Sequence, residues 1–434
     1  MTRPTVGILT LGCKVNQYES EAIAEAFTAA GLTVCSPELP CDVYVINTCT
    51  VTAESDRKAG QLIRRVHAQN EHALILVTGC FAQADPAAVA ALPHVDYICG
   101  NTQKLAVVDA ALKLLASGKQ CSPILAVDDV ARAPFEPMCI TRFDRTRAYV
   151  KIEDGCENRC TYCAIPGARG RVRSKPLAEV VREVEGLVRG GCREVVLTGI
   201  ETASFGRDLG CTLADLLEAV DGIEGLERVR LGSLEPTVMK PDFVARIAKL
   251  RTVTPHFHLS MQSGSARVLA AMKRRYNPVQ AMEGIKRLRE AIPSVELTTD
   301  FIVGFPGESE EDFLATMDFA REAAFLQMHV FTYSKRPGTP AATLGGQIPK
   351  AIKKARSAAL ISLGLSLRDA RLTGALATPC REVLFESFEQ GYAIGHTKEF
   401  FEVCVPSDHP LSGEMHTVVL HKVQDHRLHA ELKG

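Results

Sequence analysis

The sequence predicts an α/β protein in three parts: an N-terminal doubly wound parallel-sheet domain, a central partial (βα)6 TIM-like barrel, and a small antiparallel β-barrel at the C-terminus. Three observations predict it. Residues 1–120 alternate short apolar runs with helical stretches, residues 143–373 repeat that alternation six times, and residues 377–434 break into short alternating runs punctuated by Gly and Pro. A chain of 434 residues with 46% hydrophobic side chains has the material for several cores.

In the first part, strands are expected at Val6 to Leu11, Val43 to Ile46, Leu74 to Thr78 and Val95 to Ile98. Helices are expected near Glu19 to Ala30, Glu54 to Ala68 and Thr102 to Ala116. Residues 121–142, with Pro123, Pro134 and Pro137 and little periodicity, read as a linker. The second part opens with a β-type run from Arg147 to Glu153. Further strands are expected at Glu194 to Gly199, Val229 to Glu235, His256 to Gln262, Leu297 to Val303 and Met328 to Tyr333, with helices such as Pro176 to Arg189 and Ala266 to Arg289 between them. A helix from Lys350 to Leu372 leads to the third part. Its five runs are Glu382 to Phe388, Gly391 to His396, Phe400 to Val405, His416 to Lys422 and His429 to Leu432.

Fifteen cysteines, an odd number, argue against a disulfide framework and for metal chemistry in a reducing compartment. The N-terminus lacks a basic segment followed by a long apolar stretch, and no run approaches a membrane span, so a cytoplasmic protein with no membrane partner is expected. A formal net charge of −1 gives no overall attraction to a polyanion, so any nucleic-acid site must be local.

Cys156, Cys160 and Cys163 follow the first strand of the second part at spacings of four and three. A structural zinc loop would need a second knuckle, which is not nearby, and a redox Cys-x-x-Cys pair would not need Cys156. Three thiolates suit an iron–sulfur cube, and because such clusters ordinarily take four, three leave one iron open to an outside ligand. A second trio stands out in the first part, where Cys13, Cys49 and Cys80 each lie just past the end of an expected strand. In a parallel sheet those ends form one rim where ligands collect, so the three converge and suggest a second cluster. Cys99 also follows a strand, and spacing alone leaves it open as a fourth ligand.

The loop Cys156-Glu157-Asn158-Arg159-Cys160-Thr161-Tyr162-Cys163 resembles that of the radical S-adenosylmethionine (SAM) enzymes, in which the open iron chelates SAM. With the first trio and the terminal barrel, which is similar to a TRAM module, the chain is identified as a member of the methylthiotransferase family. The strings Leu11-Gly12-Cys13-Lys14-Val15-Asn16-Gln17-Tyr18-Glu19-Ser20 and Asn47-Thr48-Cys49-Thr50-Val51-Thr52 carry that resemblance. The first of them is similar to the branch that modifies N6-threonylcarbamoyladenosine in tRNA. Other branches act on isopentenyladenosine of tRNA or on a ribosomal-protein aspartate.

The resemblance implies methylthio transfer to C2 of threonylcarbamoyladenosine, immediately 3′ of the anticodon, using two SAM and two [4Fe–4S] clusters. It assigns Cys156, Cys160 and Cys163 to the radical cluster and Cys13, Cys49 and Cys80 to the sulfur-donating one. An electron donor such as flavodoxin or ferredoxin is implied as well. Strand-end position and resemblance together make Tyr162, Thr198, Gly199, Ser233, Glu235, Gln262, Ser263, Asp300 and Gly304 the candidates for SAM contact. Two positions depart from the family pattern: Gly232 stands where serine is common, and Glu201 where Asn or His is common.

For RNA, nine basic residues against four acidic ones between Arg142 and Lys175 give a local net charge of +5 beside the cluster loop. Arg169, Arg171, Arg173 and Lys175 are the candidates there, with Lys335, Arg336 and the run Lys273-Arg274-Arg275 extending the path. The terminal barrel is acidic, with five Lys and Arg against nine Asp and Glu, so RNA contact by it would need a patch such as Lys398, Lys422 and Arg427 with Phe400 or Tyr392. A cluster-bearing RNA-binding or sensing protein that performs no turnover is the alternative from a different class.

Overall fold

A computed structural model describes residues 3–143 and 145–433; residues 1–2, Asp144 and Gly434, which fall in the expected first, second and third parts, lie outside it. The N-terminal sheet has six parallel strands, β1 (Thr5–Thr10), β2 (Thr33–Cys35), β3 (Val43–Thr48), β4 (Leu74–Gly79), β5 (Tyr97–Cys99) and β6 (Ile124–Ala126), in the order β2-β1-β3-β4-β5-β6. The central strands β3 and β4 are buried along their whole length, as expected where helices cover both faces. Edge strands β2 and β6 have three residues each and fell below the reach of periodicity; β6 lies inside the stretch read as linker and pairs in parallel with β5. The order in which successive strands are added reverses between β1 and β3. That switch point is where a parallel sheet opens a crevice at its carboxyl ends.

The second part is an arc of six parallel strands: β7 (Ala148–Lys151), β10 (Glu194–Thr198), β11 (Arg228–Leu231), β12 (His256–Gln262), β13 (Glu296–Val303) and β14 (Gln327–Thr332). The triplets β11-β10-β7 and β12-β13-β14 are joined through single bridges at Val229–Val253 and Leu234–Leu259. A two-residue antiparallel pair, β8 (Glu153–Asp154) with β9 (Arg173–Ser174), ties the base of the cysteine loop. The helix Lys14–Ala29 of the N-terminal domain packs along β7, and its Tyr18 and Ala22 join the barrel core.

The helix expected over Ala266 to Arg289 is two helices, Ala266–Ala271 and Pro278–Ala291. The break falls at Lys273, at φ 57°, and the second helix restarts on an Asn277 capping box with Pro278 in its first turn.

The helix Lys350–Ala375 leads to a closed five-stranded barrel: β15 (Cys380–Glu389), β16 (Tyr392–Thr397), β17 (Glu402–Pro406), β18 (Met415–Gln424) and β19 (Arg427–Leu432), ordered β15-β16-β17-β19-β18. Closure comes through one parallel pairing, β17 with β19, in an otherwise antiparallel barrel. This barrel caps the amino-terminal end of the six-stranded arc. Phe400, at φ 78°, stacks between His256 and His396 with ring centroids 4.3 Å and 4.5 Å away, and Arg147 and Arg230 lie over its ring. Arg228 and Arg230 donate to the carbonyls of His396 and Lys398. Phe400 is therefore engaged in holding the two parts together and does not offer itself to a base.

Candidate functional site

The three N-terminal thiols meet at the switch point. Cys13 follows β1, Cys49 follows β3, and Cys80 opens a short helix directly after β4. Gly12, at φ 110°, brings the chain so close to Cys49 that a Cβ there would lie 2.8 Å from the Cys49 Cβ. Two polar side chains lace the strand ends together. Asn16 Nδ2 donates to the carbonyls of Leu11 and Thr48 at 2.7 and 2.9 Å, and Thr48 Oγ1 donates to the Thr78 carbonyl at 2.6 Å. Burial raises the Cys13 thiol, with Arg169 opposing and Cys80 adding to the rise; burial together with Cys80 and Cys13 pushes Cys49 up to about 11. Cys99 belongs elsewhere: it lies within β5 and packs in the apolar core with Val107, Ala111 and Leu114.

The Cys156–Cys163 loop is sewn into the barrel mouth by backbone bonds. Cys156 N donates to Gly170 O at 2.9 Å, Thr161 N to Met272 O at 3.1 Å, and Ala341 N to Thr161 O at 2.8 Å. Gly155, at φ 92°, lets the loop pass against the Arg171 carbonyl, which any side chain would strike. Arg274, delivered by the break between the two helices, donates to Cys160 Sγ at 3.2 Å and pairs with Glu235 at 3.2 Å. Burial raises Cys156 to about 12, with Glu201, Cys163 and Glu153 contributing to the rise, and raises Cys163 to about 11, with Cys160 and Cys80 adding. That last influence puts Cys80 within electrostatic reach of Cys163. The helix opened by Cys80 packs on the helix Ile165–Arg169 just beyond Cys163, and Asn101 Nδ2 donates to the Ala168 carbonyl at 2.7 Å.

Between the trios lies a buried ion network centred on Glu19. Arg169 donates to Glu19 at 2.6 and 3.1 Å, to Asp154 at 3.2 and 3.3 Å, to Asn16 Oδ1 at 2.6 Å and to Cys80 Sγ at 3.2 Å. Lys104 and Lys151 complete the shell around Glu19. Burial opposes the Glu19 charge, but Arg169, Lys104 and Lys151 outweigh it and hold its carboxyl well below the usual range.

Four of the six expected RNA contacts are buried and engaged by other protein groups. Arg169 is fully buried, and Arg173 is buried against the carbonyls of Arg169 and Pro134. Lys175 is buried on Glu183 and the Met138 carbonyl, and Arg336 on Asp56 and Thr50. Arg274 belongs to Cys160. The local excess of positive charge is mostly internal, balanced by Asp154 and by acids from distant parts of the chain. Arg171 and Lys335 are exposed.

A profile described as "Radical SAM superfamily" matches residues 150–320, and one described as "Uncharacterized protein family UPF0004" matches residues 5–100. The "Threonylcarbamoyladenosine tRNA methylthiotransferase MtaB" of Bacillus subtilis is 38% identical over 95% of this chain and 92% of its own length. The chain belongs to the methylthiotransferase family of radical SAM proteins. The protein of the same name from Thermotoga maritima is 41% identical over 81% of this chain and 80% of its own. A "tRNA-2-methylthio-N(6)-dimethylallyladenosine synthase" of Moorella thermoacetica is 36% identical over 99% and 98%. Among solved structures, the radical SAM methyltransferase TsrM of Kitasatospora setae shares the fold, with TM-score 0.56 and 16% identity over 79% of this chain and 77% of that one.

Within this family member the expected SAM contacts fall in three groups. Tyr162, half-buried, lies within the electrostatic reach of Cys160, Cys163 and Arg274. Thr198, Gly199, Ser233 and Gln262 line the carboxyl ends of β10, β11 and β12; Ser233 is exposed and Gln262 sits at φ 64°. The others are already engaged by the protein: Glu235 by Arg274 and Arg275, Ser263 by Thr316 and the Ser265 amide, Asp300 by His258 Nε2 at 3.1 Å, and Gly304 lies beneath Lys353. Asp300 pairs in register with His329 inside β13, deeper in the barrel than a strand-end contact requires.

Two carboxyls near Cys156 are not among the expected contacts, although Glu201 stands out as a departure from the family pattern. Glu153 is fully buried, accepts from Glu201 N at 2.8 Å, and leaves Oε1 without a partner; Glu201 likewise has an unpartnered Oε1. Burial raises Glu153 well above the ordinary value, and burial with the Glu235 charge raises Glu201 to about 7. Unpaired buried acceptors beside a cluster loop suit a ligand that brings its own donors.

Proposed function

We propose that this protein is a tRNA methylthiotransferase that places a methylthio group on C2 of N6-threonylcarbamoyladenosine beside the anticodon. The supporting observation is the packing of the helix opened by Cys80 against the segment that follows Cys163, which brings a free thiol of one trio near a free thiol of the other. The similarity to proteins named for that reaction gives the substrate.

In this reading Cys156, Cys160 and Cys163 would hold a [4Fe–4S] cluster and Cys13, Cys49 and Cys80 a second. The donor sets fit: each trio is free of disulfides, and burial penalises a bare thiolate at Cys49 and Cys156, a penalty that bound iron removes. Such clusters supply one-electron chemistry and sulfur at a ring carbon that acid–base catalysis does not reach. Arg274 fixes Cys160, and Arg169 fixes Cys80 while neutralising Glu19 and Asp154. The unpartnered oxygens of Glu153 and Glu201 would accept from the α-amino group of SAM, and Tyr162, Thr198, Gly199 and Gln262 would line its remaining surface. A flavodoxin or ferredoxin would deliver electrons, and the setting would be cytoplasmic; among the described residues no helix is long and apolar enough to cross a membrane.

Nucleoside mass spectrometry on tRNA from a deletion strain tests the assignment. Loss of methylthio-threonylcarbamoyladenosine, restored by the wild-type gene, is expected. Unchanged levels, or loss of the methylthio derivative of dimethylallyladenosine instead, would overturn it. Replacing either thiol trio by alanine should remove about half of the reconstituted iron, and loss of all iron or of none would contradict the two-cluster reading.

A further inference from the structure

Most of the buried cations near the barrel are matched to acids. Arg169, Lys104 and Lys151 serve Glu19, Arg147 and Arg230 serve Glu194, and Arg274 serves Glu235. Lys14 directly follows Cys13 and keeps solvent exposure. It lies within electrostatic reach of Cys13, Asp300, Arg147 and Arg230, and acts in turn on His256 and His329. Its ammonium therefore sits where the N-terminal helix meets the open side of the barrel, beside the first thiol trio. Among the described residues no carboxylate is within ion-pair distance of it; Asp300, the acid in its reach, is held by His258.

We propose that Lys14 binds the carboxylate of the substrate's threonylcarbamoyl group and so selects an anionic N6 substituent over a neutral one. This rests on the reading of the protein as a threonylcarbamoyladenosine methylthiotransferase. C2 and C6, which carries N6, flank N1 on one edge of the adenine ring. If sulfur reaches C2 from the Cys13, Cys49 and Cys80 trio, whatever hangs from N6 lies alongside that trio, where Lys14 stands. A carboxylate there completes a charge-assisted bond in a space partly withdrawn from water. A dimethylallyl group, the substituent named for the other set of relatives, leaves the ammonium unpaired and desolvated, a repulsive element against the wrong substrate. His258, Asp300 and His329 have donor atoms close enough together to hold a metal ion, yet the Lys14 charge beside them favours an anion over a cation.

Anticodon stem-loops bearing threonylcarbamoyladenosine, its methyl ester, or dimethylallyladenosine would be titrated by fluorescence anisotropy against reconstituted wild type, Lys14→Met and Lys14→Arg, and then assayed for turnover. Lys14→Met is expected to weaken binding of the free acid by about tenfold or more, with KM moving more than kcat. It should bind acid and ester alike, whereas Lys14→Arg keeps the preference, and iron content stays equal in all three proteins. Equal weakening toward acid and ester, an unchanged preference, or loss of iron in Lys14→Met overturns the proposal. A wild type that modifies only the dimethylallyl stem-loop overturns the substrate assignment itself, which the ester comparison in the variants does not address.

Discussion

Replacing Arg169 by methionine separates a structural cation from an RNA contact. The side chain is fully buried and donates to Glu19, Asp154, Asn16 and Cys80 at distances between 2.6 and 3.3 Å. Without it, Glu19 retains Lys104 and Lys151, while Asp154 retains Lys151 at 3.3 Å and Arg173 at 3.5 Å. Breaking a buried pair by removing one partner costs about 3–5 kcal/mol, and the remaining cations put this case near the lower end, about 3 kcal/mol. Anaerobic urea unfolding of the apoprotein, paired with tRNA binding, measures it. The double variant Arg169→Met, Glu19→Gln should recover part of the loss, because the two residues share one network. An Arg169→Met protein as stable as wild type but weaker toward tRNA would refute the assignment of this arginine to the interior.

Other consequences follow from single sites. Burial opposes the charge of Glu194, but Arg230, Arg147 and Arg228 hold its carboxyl down to about 2 from 4.5. A depressed acid stabilises above its unfolded value, so on the order of 3 kcal/mol is present at pH 5 and above and is lost as pH falls from about 4.5 toward about 2; acid unfolding of Glu194→Gln should be correspondingly flatter. Gly155→Ala forces a side chain into the Arg171 carbonyl at a positive φ, and iron analysis should show about half the wild-type content. Phe400→Ala removes the ring held between His256 and His396 and should weaken docking of the terminal barrel by about 2 kcal/mol or more. Limited proteolysis between the helix Lys350–Ala375 and β15 reads that release.

Much of the site was written locally. The Cys156–Cys163 spacing lies in one short loop, and the Cys13, Cys49 and Cys80 positions follow from strand ends that hydrophobic runs mark clearly. The basic run from Arg142 to Lys175 misled for the opposite reason. Besides Asp154 its acids are Glu19 and Glu183, and for Arg147 Glu194 and Glu386, which lie outside the run, so counting charge within the window mistook an internal network for an RNA-facing one. Arg274 was hidden similarly, since a continuous helical pattern conceals the turn that carries its guanidinium to Cys160.

The amino-acid sequence by itself determined the three-part α/β architecture and marked six thiols as candidate ligands, because period, turn residues and ligand spacing are properties of neighbours in the chain. Tertiary structure alone decided which cations are internal, which carboxyls stand beside Cys156, and that Cys99 belongs to a core. Those outcomes depend on pairings between residues as far apart as Arg147 and Glu386, and on the withdrawal of charge from water, which sets whether a side chain meets a partner or a ligand.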